Sequence, residues 1–387
     1  MVALRLIVLT WTLCLGGTQG ADFSFVFCGD SRFGSRSPRD HPEILGRIVK
    51  EVNVLRPDFF IYGGDGPDYN SLENYEKFKA CLDSLRVPYH VVVGNHDIYV
   101  PDGGYSRKLH RRFFGRTYYS FKYGNSYFII LDTAGHGTRP WGVRESSPEQ
   151  WKWMVEELDK AKKYKHTFVV THTPPYDAPP MRNHAFTDAK EAKEFVELMA
   201  RYGVTAVLCS HEHLYYEASW GGVPYIISGG AGAVLYAPPE RGGFYHYVYV
   251  HVDEDVEVKV VPILDTLFVE PEGASLEVGE TLKFRAVGVD PFGRSVQLFP
   301  PISISWASDD TTVGRIEHSG LFRALSSGRA EVTIRCGLRI GRASVRVVPA
   351  REGLLSPQLP LELRVEDPQQ PSGLPQDLGD AVVVHVQ

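Results

Sequence analysis

Five short apolar runs early in this chain all end in the same way, and that repetition constrains the fold more than any other feature. FVFC is followed by Gly29-Asp30, and FFIY by Gly63-Gly64-Asp65. HVVV is followed by Gly94-Asn95-His96-Asp97, TFVV by Thr171-His172, and AVLC by Ser210-His211-Glu212-His213. Taken singly, each ending has an ordinary explanation, because Gly-Asp makes a turn and Asn or Asp caps a helix. Taken together, they put a metal-competent carboxylate, amide or imidazole at the end of every run. In open α/β sheets ligands gather at the carboxyl ends of strands, so the five tips are expected to converge on one site. A donor set of oxygen and nitrogen without thiolates suits Mn, Fe or Zn.

The segments between these runs read as helices. Ile44, Leu45, Ile48, Val49 and Val52 recur at helical spacing, as do Trp151, Met154, Val155 and Leu158, and then Ala192, Phe195, Val196 and Met199. Ser147 and Gln150 are spaced for a capping box at the start of the second of these helices. Alternating strand and helix predicts a layered α/β fold over residues 21–263.

The pieces GDSR, GGDGPD, GNHD, THTPPY and SHEH, in that order, resemble the calcineurin-like metallophosphoesterases, which include the purple acid phosphatases. YIISGGAGAVLY resembles the glycine-rich strand that this family places beside its site, and the likeness runs over roughly residues 22 to 262. The resemblance implies an α/β-β/α sandwich and hydrolysis of phosphate monoesters or diesters by attack of a metal-bound hydroxide. It implies two metal ions about 3.5–4 Å apart, bridged by Asp65. Asp30 and His213 would serve the first metal, and Asn95, His172 and His211 the second. His96 would act on the substrate as the catalytic group, with Asp97 orienting it. No G-x-S-x-G, Walker loop or reactive-cysteine signature offers another hydrolase chemistry.

One position departs from the family pattern. The first motif is commonly Asp-x-His, its His ligating the first metal, whereas this chain has Arg32 there. A guanidinium stays charged and cannot coordinate a cation. Three readings follow: another ligand or water fills the gap, the first metal binds weakly, or Arg32 binds the substrate phosphate with its bidentate fork. The bland reading is that Arg32 points to solvent or pairs with a nearby carboxylate. His184, in MRNHAFTD, is a second candidate for substrate contact, and His136, in a glycine-rich loop, is a candidate for the rim. Asp132 ends the strand YFIIL, where a supporting role and a turn role are equally open.

The flanks carry different information. Residues 1–20 have a basic start at Arg5, the apolar run LIVLTWTLCLGG and a small-residue end, which predicts a secretory signal peptide, hence a secreted, periplasmic or cell-surface location. No transmembrane helix is expected in the mature chain. Cys28, Cys81, Cys209 and Cys336 are scattered, so neither a zinc knuckle nor a disulfide framework is indicated. The net charge of −6 gives no reason to expect nucleic acid binding.

Beyond Asp265, the runs TLKFRAV, ISISWAS, EVTIRC and ASVRVV alternate apolar and polar between turn residues, predicting a small β-sandwich over 265–349. This stretch resembles the group 2 bacterial immunoglobulin-like domain, with Trp306 as its core tryptophan. The resemblance implies a spacer, or a contact with the cell surface or a polysaccharide. Residues 350–387 are rich in Pro and Gln and are expected to be largely unstructured. The competing function is a phosphoesterase scaffold weakened at Arg32 that serves as a surface or ligand-binding protein.

Overall fold

The computed structural model describes residues 22–298, 300 and 302–350. The expected signal peptide and the Pro/Gln-rich tail lie outside the described residues. The first half runs β1 (Phe23–Cys28), α1 (Glu43–Leu55), β2 (Phe59–Tyr62), α2 (Leu72–Leu82), β3 (Tyr89–Val91), α3 (Asn95–Ile98), α4 (Lys108–Phe114), β4 (Tyr119–Tyr123) and β5 (Ser126–Ile130). It continues α5 (Val143–Ser146), α6 (Pro148–Ala161), β6 (His166–Val170), α7 (Ala189–Arg201), β7 (Ala206–Cys209), β8 (Tyr215–Trp220), β9 (Val223–Ser228), β10 (His246–Val252) and β11 (Val256–Pro262).

These strands form two sheets, ordered β11-β10-β1-β2-β3 and β4-β5-β6-β7-β9-β8. Side-chain alternation along each strand explains why they stack. Phe25, Phe27, Phe59, Ile61, Val248 and Val250 of the first sheet share one buried cluster with Phe128, Ile130, Phe168, Val170, Leu208 and Ile226 of the second. The alternate residues face outward. Val26, Cys28, Phe60 and Tyr62 pack under α1 and α2, while Ile129, Val169, Val207 and Ile227 pack under α6 and α7. Each fully buried Phe or Ile is worth roughly 1.5–3 kcal/mol, so both faces of both sheets must be covered. The result is a helix–sheet–sheet–helix sandwich.

Local details depart from expectation at α6. Ser147 stands at the N-cap of α6 but makes no capping bond, and its hydroxyl donates to Glu149 instead. Gln150 turns inward, accepting from Asp132 N–H and donating to the Asp132 and Val143 carbonyls. The capping box is therefore replaced by a clamp on the loop after β5. At α7, Asp188 is the cap and accepts from Lys190 N–H.

The described residues of 266–348 form strands joined by turns and no helix. Gly328–Cys336 and Arg339–Val348 pair antiparallel, flanked by Ile304–Ser308 and by Gly273–Glu277. Val332, Ile334 and Cys336 are buried on one face, while Trp306 is half-buried rather than central. The described residues up to Pro349 form one compact unit. Val260 and Leu264 share a buried cluster with Leu267 and Ile302, and Arg47 Nη1 lies 2.5 Å from Asp265 Oδ1. The four cysteines described are free thiols, with Cys28, Cys209 and Cys336 buried. No helix among the described residues is long and apolar enough to cross a membrane.

Candidate active site

β1, β2 and β3 run parallel in one sheet, and β5, β6, β7 and β9 in the other. The loops leaving β1, β2, β3, β6 and β7 therefore open at strand C-termini, and they bring the predicted ligands together. Bending the backbone back that sharply needs unusual conformations. Asp30, Arg32, Asp65 and His211 all take positive φ, at 68°, 61°, 56° and 70°. Non-glycine residues adopt that region only where the surroundings hold them there, and such strain collects at functional sites. Glycine does the rest of the crowding. A Cβ on Gly94 would lie 2.2 Å from Asp65 Oδ1, and one on Gly64 would lie 2.6 Å from His172 Nδ1.

Four side chains converge most tightly. His172 Nε2 lies 3.1 Å from Asn95 Oδ1, 3.1 Å from His211 Nδ1 and 3.3 Å from Asp65 Oδ1. His172 Nδ1 faces the Gly63 carbonyl at 2.9 Å, which turns Nε2 toward the cluster. The ligand atoms of Asp65, His172 and His211 all lie within 4.8 Å of one another, and all three residues are buried. Nitrogen and oxygen atoms crowded this closely, with a carbonyl orienting one imidazole from behind, fit a cation at their centre.

Asp30 and His213 stand to one side of this group. Asp30 Oδ2 accepts from His211 N–H at 3.0 Å, while its buried Oδ1 has no hydrogen-bond partner. His213 Nε2 is 3.6 Å from that oxygen, and its Nδ1 is held by the Val234 carbonyl at 2.8 Å. The glycine-rich segment after β9 packs here, with Ala231 N–H donating to Gly29 O and Ala233 N–H to Asp30 O. Arg32 points inward rather than to solvent. Its Nη1 lies 3.4 Å from Asp65 Oδ2 and its Nε 3.3 Å from Asp68 Oδ1.

His96 and Asp97 occupy the one-turn helix α3 but face different ways. Asp97 was expected to orient His96. Its carboxylate instead accepts three backbone N–H groups, from Gly94 at 2.5 Å, Gly66 at 3.0 Å and Asp65 at 3.2 Å. It is a clamp on the loops that carry the predicted ligands Asp65 and Asn95. The His96 imidazole is held by Asp68, with Nδ1 2.6 Å from the Asp68 carbonyl and 3.6 Å from its carboxylate. Asp68 was in view in GGDGPD but carried no role in the sequence reading. His184 sits at the rim, its ring 5.7 Å from His211 and 5.4 Å from Tyr236. His136 is exposed and stacks on Tyr105. Asp132 takes a bidentate pair from Arg107, at 2.6 and 3.0 Å. Two aromatic residues were missed: Tyr236 stacks on His213 at 4.1 Å, and Trp141 meets His211 edge-on at 4.5 Å with its indole N–H buried and unpartnered.

The electrostatics match a site built around charge. Burial opposes ionisation of Asp65, yet His172, His96 and Arg32 hold its carboxyl well below the usual range. Burial likewise opposes the charge on His172, but Asp65 lifts it to about 9. Burial, reinforced by His172, drives His211 well down, and burial holds His96 below the usual imidazole range. A cavity of about 760 Å³ lies elsewhere, lined by Tyr216, Glu217, Arg241, Gln297 and Pro300 among others, and none of the predicted site residues lines it.

Comparison with known proteins gives a consistent result. The family model of the calcineurin-like phosphoesterases matches residues 23–215. The human tartrate-resistant acid phosphatase type 5 is 26% identical, over 47% of this chain and 63% of its own length. A probable glycerophosphodiester phosphodiesterase of Arcobacter nitrofigilis is 25% identical, over 47% of this chain and 66% of its own. The chain thus spans just under two thirds of these relatives. Among solved structures, a purple acid phosphatase from yellow lupin seeds superposes with a TM-score of 0.50 at 16% identity, covering 62% of this chain and 52% of that one. That likeness is one of fold.

Proposed function

We propose, from a chain whose residues 23–215 form a calcineurin-like phosphoesterase domain, that the protein is an exported metal-dependent hydrolase of phosphoric esters. The observation that carries this reading is the convergence of Asp65, Asn95 and His211 on His172 Nε2, each with a ligand atom 3.1–3.3 Å from it. These four would hold a divalent or trivalent ion of Mn, Fe or Zn. Such an ion polarises a phosphoryl oxygen and lowers the pKa of water.

The chain's own residues do the remaining work. Val234 and Gly63 carbonyls fix the tautomers of His213 and His172, so each presents Nε2 to the cleft. The Asp68 carbonyl does the same for His96, whose Nε2 is left for a substrate oxygen. A phosphate entering beside His96 would raise its proton affinity, so that it protonates the leaving oxygen. Asp97 holds the Asp65 and Gly94 backbones in register while this happens.

The two curated relatives are a phosphatase and a phosphodiesterase by name, so either ester class is compatible with the family. The position of Arg32 favours one competing reading, a weakened scaffold that binds without turnover. The test is hydrolysis of an aryl phosphate monoester and its matching diester by the Mn²⁺-supplied protein, with Asp65→Ala as blank. Turnover of either above the blank supports the hydrolase, and the preferred ester sets the substrate class. No turnover of either in folded, metal-loaded protein supports the binding scaffold. For the all-β region, its shared buried cluster with β11 supports a packing partner of immunoglobulin-like type over a surface or polysaccharide contact.

A further inference from the structure

We infer that the Arg32 guanidinium is itself the second cation of this centre, so that the site holds one metal ion rather than two; this rests on the hydrolase reading above. The two half-sites differ in their fitness for an ion. Among the described residues, Asp65, His172 and His211 are the group whose ligand atoms approach one another closely enough to share a cation. On the other side, Asp30, Asp65 and His213 would be the protein ligands of a first metal, and Arg32 fills the neighbouring position.

Its geometry places positive charge where that metal would bind. Nη1 lies 3.4 Å from Asp65 Oδ2, whereas His172 meets Oδ1, and Nε lies 3.3 Å from Asp68. A metal bound to Asp65 Oδ2 would have to share one carboxylate oxygen with a guanidinium that cannot lose its proton. The two cations repel, and the arginine is covalently fixed in place.

The arrangement is held, not accidental. Arg32 sits at a positive φ of 61°, fixed by its N–H donating to Asp65 O at 3.2 Å. Its side chain is only 14% exposed, and its buried Nε has no well-directed hydrogen bond despite the nearby Asp68. A charged donor left underused at the edge of a cleft is suited to an incoming acceptor. A phosphate oxygen would supply it, through the planar fork that arginine offers to phosphate. Tyr236, stacked on His213, would form the adjoining wall.

Two readouts independent of turnover test this. Metal content of protein loaded with excess Mn²⁺ and desalted should be one equivalent per chain, with an electron paramagnetic resonance spectrum of isolated Mn²⁺. Arg32→His restores the missing imidazole and should take up a second equivalent, giving an exchange-coupled pair. Arg32→Lys keeps the charge and should remain at one. Inorganic phosphate should bind the metal-loaded Arg32→Ala protein roughly ten- to a hundredfold more weakly than wild type, the scale of a lost hydrogen bond to a charged group. Two tightly held equivalents in the wild-type protein overturn the inference, whatever the variants do. Unchanged phosphate affinity in Arg32→Ala overturns the substrate role. No bound metal at all overturns instead the hydrolase reading on which the inference stands.

Discussion

Truncating Asp97 to alanine tests whether this buried carboxylate beside the site is catalytic or mechanical. The side chain accepts from the backbone N–H groups of Gly94, Gly66 and Asp65, and is 1% exposed. A hydrogen bond to a charged group contributes about 1.5–3 kcal/mol, so the three set a ceiling of roughly 4–9 kcal/mol. Two effects reduce it. Burial, with Asp65 adding to it, pushes the Asp97 carboxyl well up, so removing it also relieves an unfavourable charge. Water can also enter the truncated space and take up part of the N–H demand. The expected net loss is about 3–5 kcal/mol, or roughly 4–7 °C in the thermal midpoint of a unit this size. Because the freed N–H groups belong to the loops bearing Asp65 and Asn95, metal affinity should fall with stability. Circular dichroism melts of metal-free and metal-loaded protein, with metal content measured on the same samples, make the comparison. Asp97→Asn retains one acceptor oxygen and should lose less. A variant that melts within about 1 kcal/mol of wild type, keeps its metal and shows only an altered pH–rate profile would refute the clamp and return Asp97 to orienting His96.

Three further outcomes follow from the same structure. Gly94→Ala places a methyl group 2.2 Å from Asp65 Oδ1, and should cost roughly 10–100-fold in metal affinity, measured by competition with a chelator. His96→Ala leaves every proposed metal ligand in place, so metal content should stay at wild-type level while turnover of an aryl phosphate falls on the order of 10²-fold or more. His110 is fully buried with both ring nitrogens unpartnered, and burial lowers its pKa to about 4 from the ordinary 6.5. Above pH 6.5 it is neutral in both states. As the pH falls towards 4 the unfolded chain takes up the proton first, so about 3 kcal/mol of stability is lost across that interval. His110→Leu should remove that part of the acid dependence in urea titrations at pH 4.5 and pH 7.5, and an identical pH slope in the variant would contradict it.

The layered fold was legible because its signal is periodic. Alternation along FSFVFC places Phe25 and Phe27 between the sheets and Val26 and Cys28 beneath helix α1, a division that period two alone encodes. What the sequence did not reveal lay in helices with little stripe of their own. α2 and α4 carry few buried residues, and α3 is a single turn built from the GNHD motif. Capping at α6 misled for a different reason. A Ser-x-x-Gln spacing permits a box, but the unpaired amide and carbonyl after β5 offered Gln150 better-buried partners.

At the site, residue types were readable and partnerships were not, and helix geometry accounts for the difference. His96 and Asp97 are adjacent in GNHD, and adjacency reads as cooperation. On a helical turn, however, neighbouring residues point about 100° apart and do not face one another. Asp97 consequently turns to the backbone of the strand β2 loop, while His96 finds Asp68, 28 positions earlier in the chain. The same argument bears on Arg32. Two positions beyond Asp30, it reads as a substitution within one motif, a lost ligand and nothing more. Its long side chain carries the charge beyond that motif to Asp65 and Asp68, both supplied by the next strand's loop. The motif has exchanged a group that donates electrons to a cation for a group that is a cation. Asp65 and Asp68 still face a cation under that exchange, which gives both carboxylates a physical reason to stay where they are.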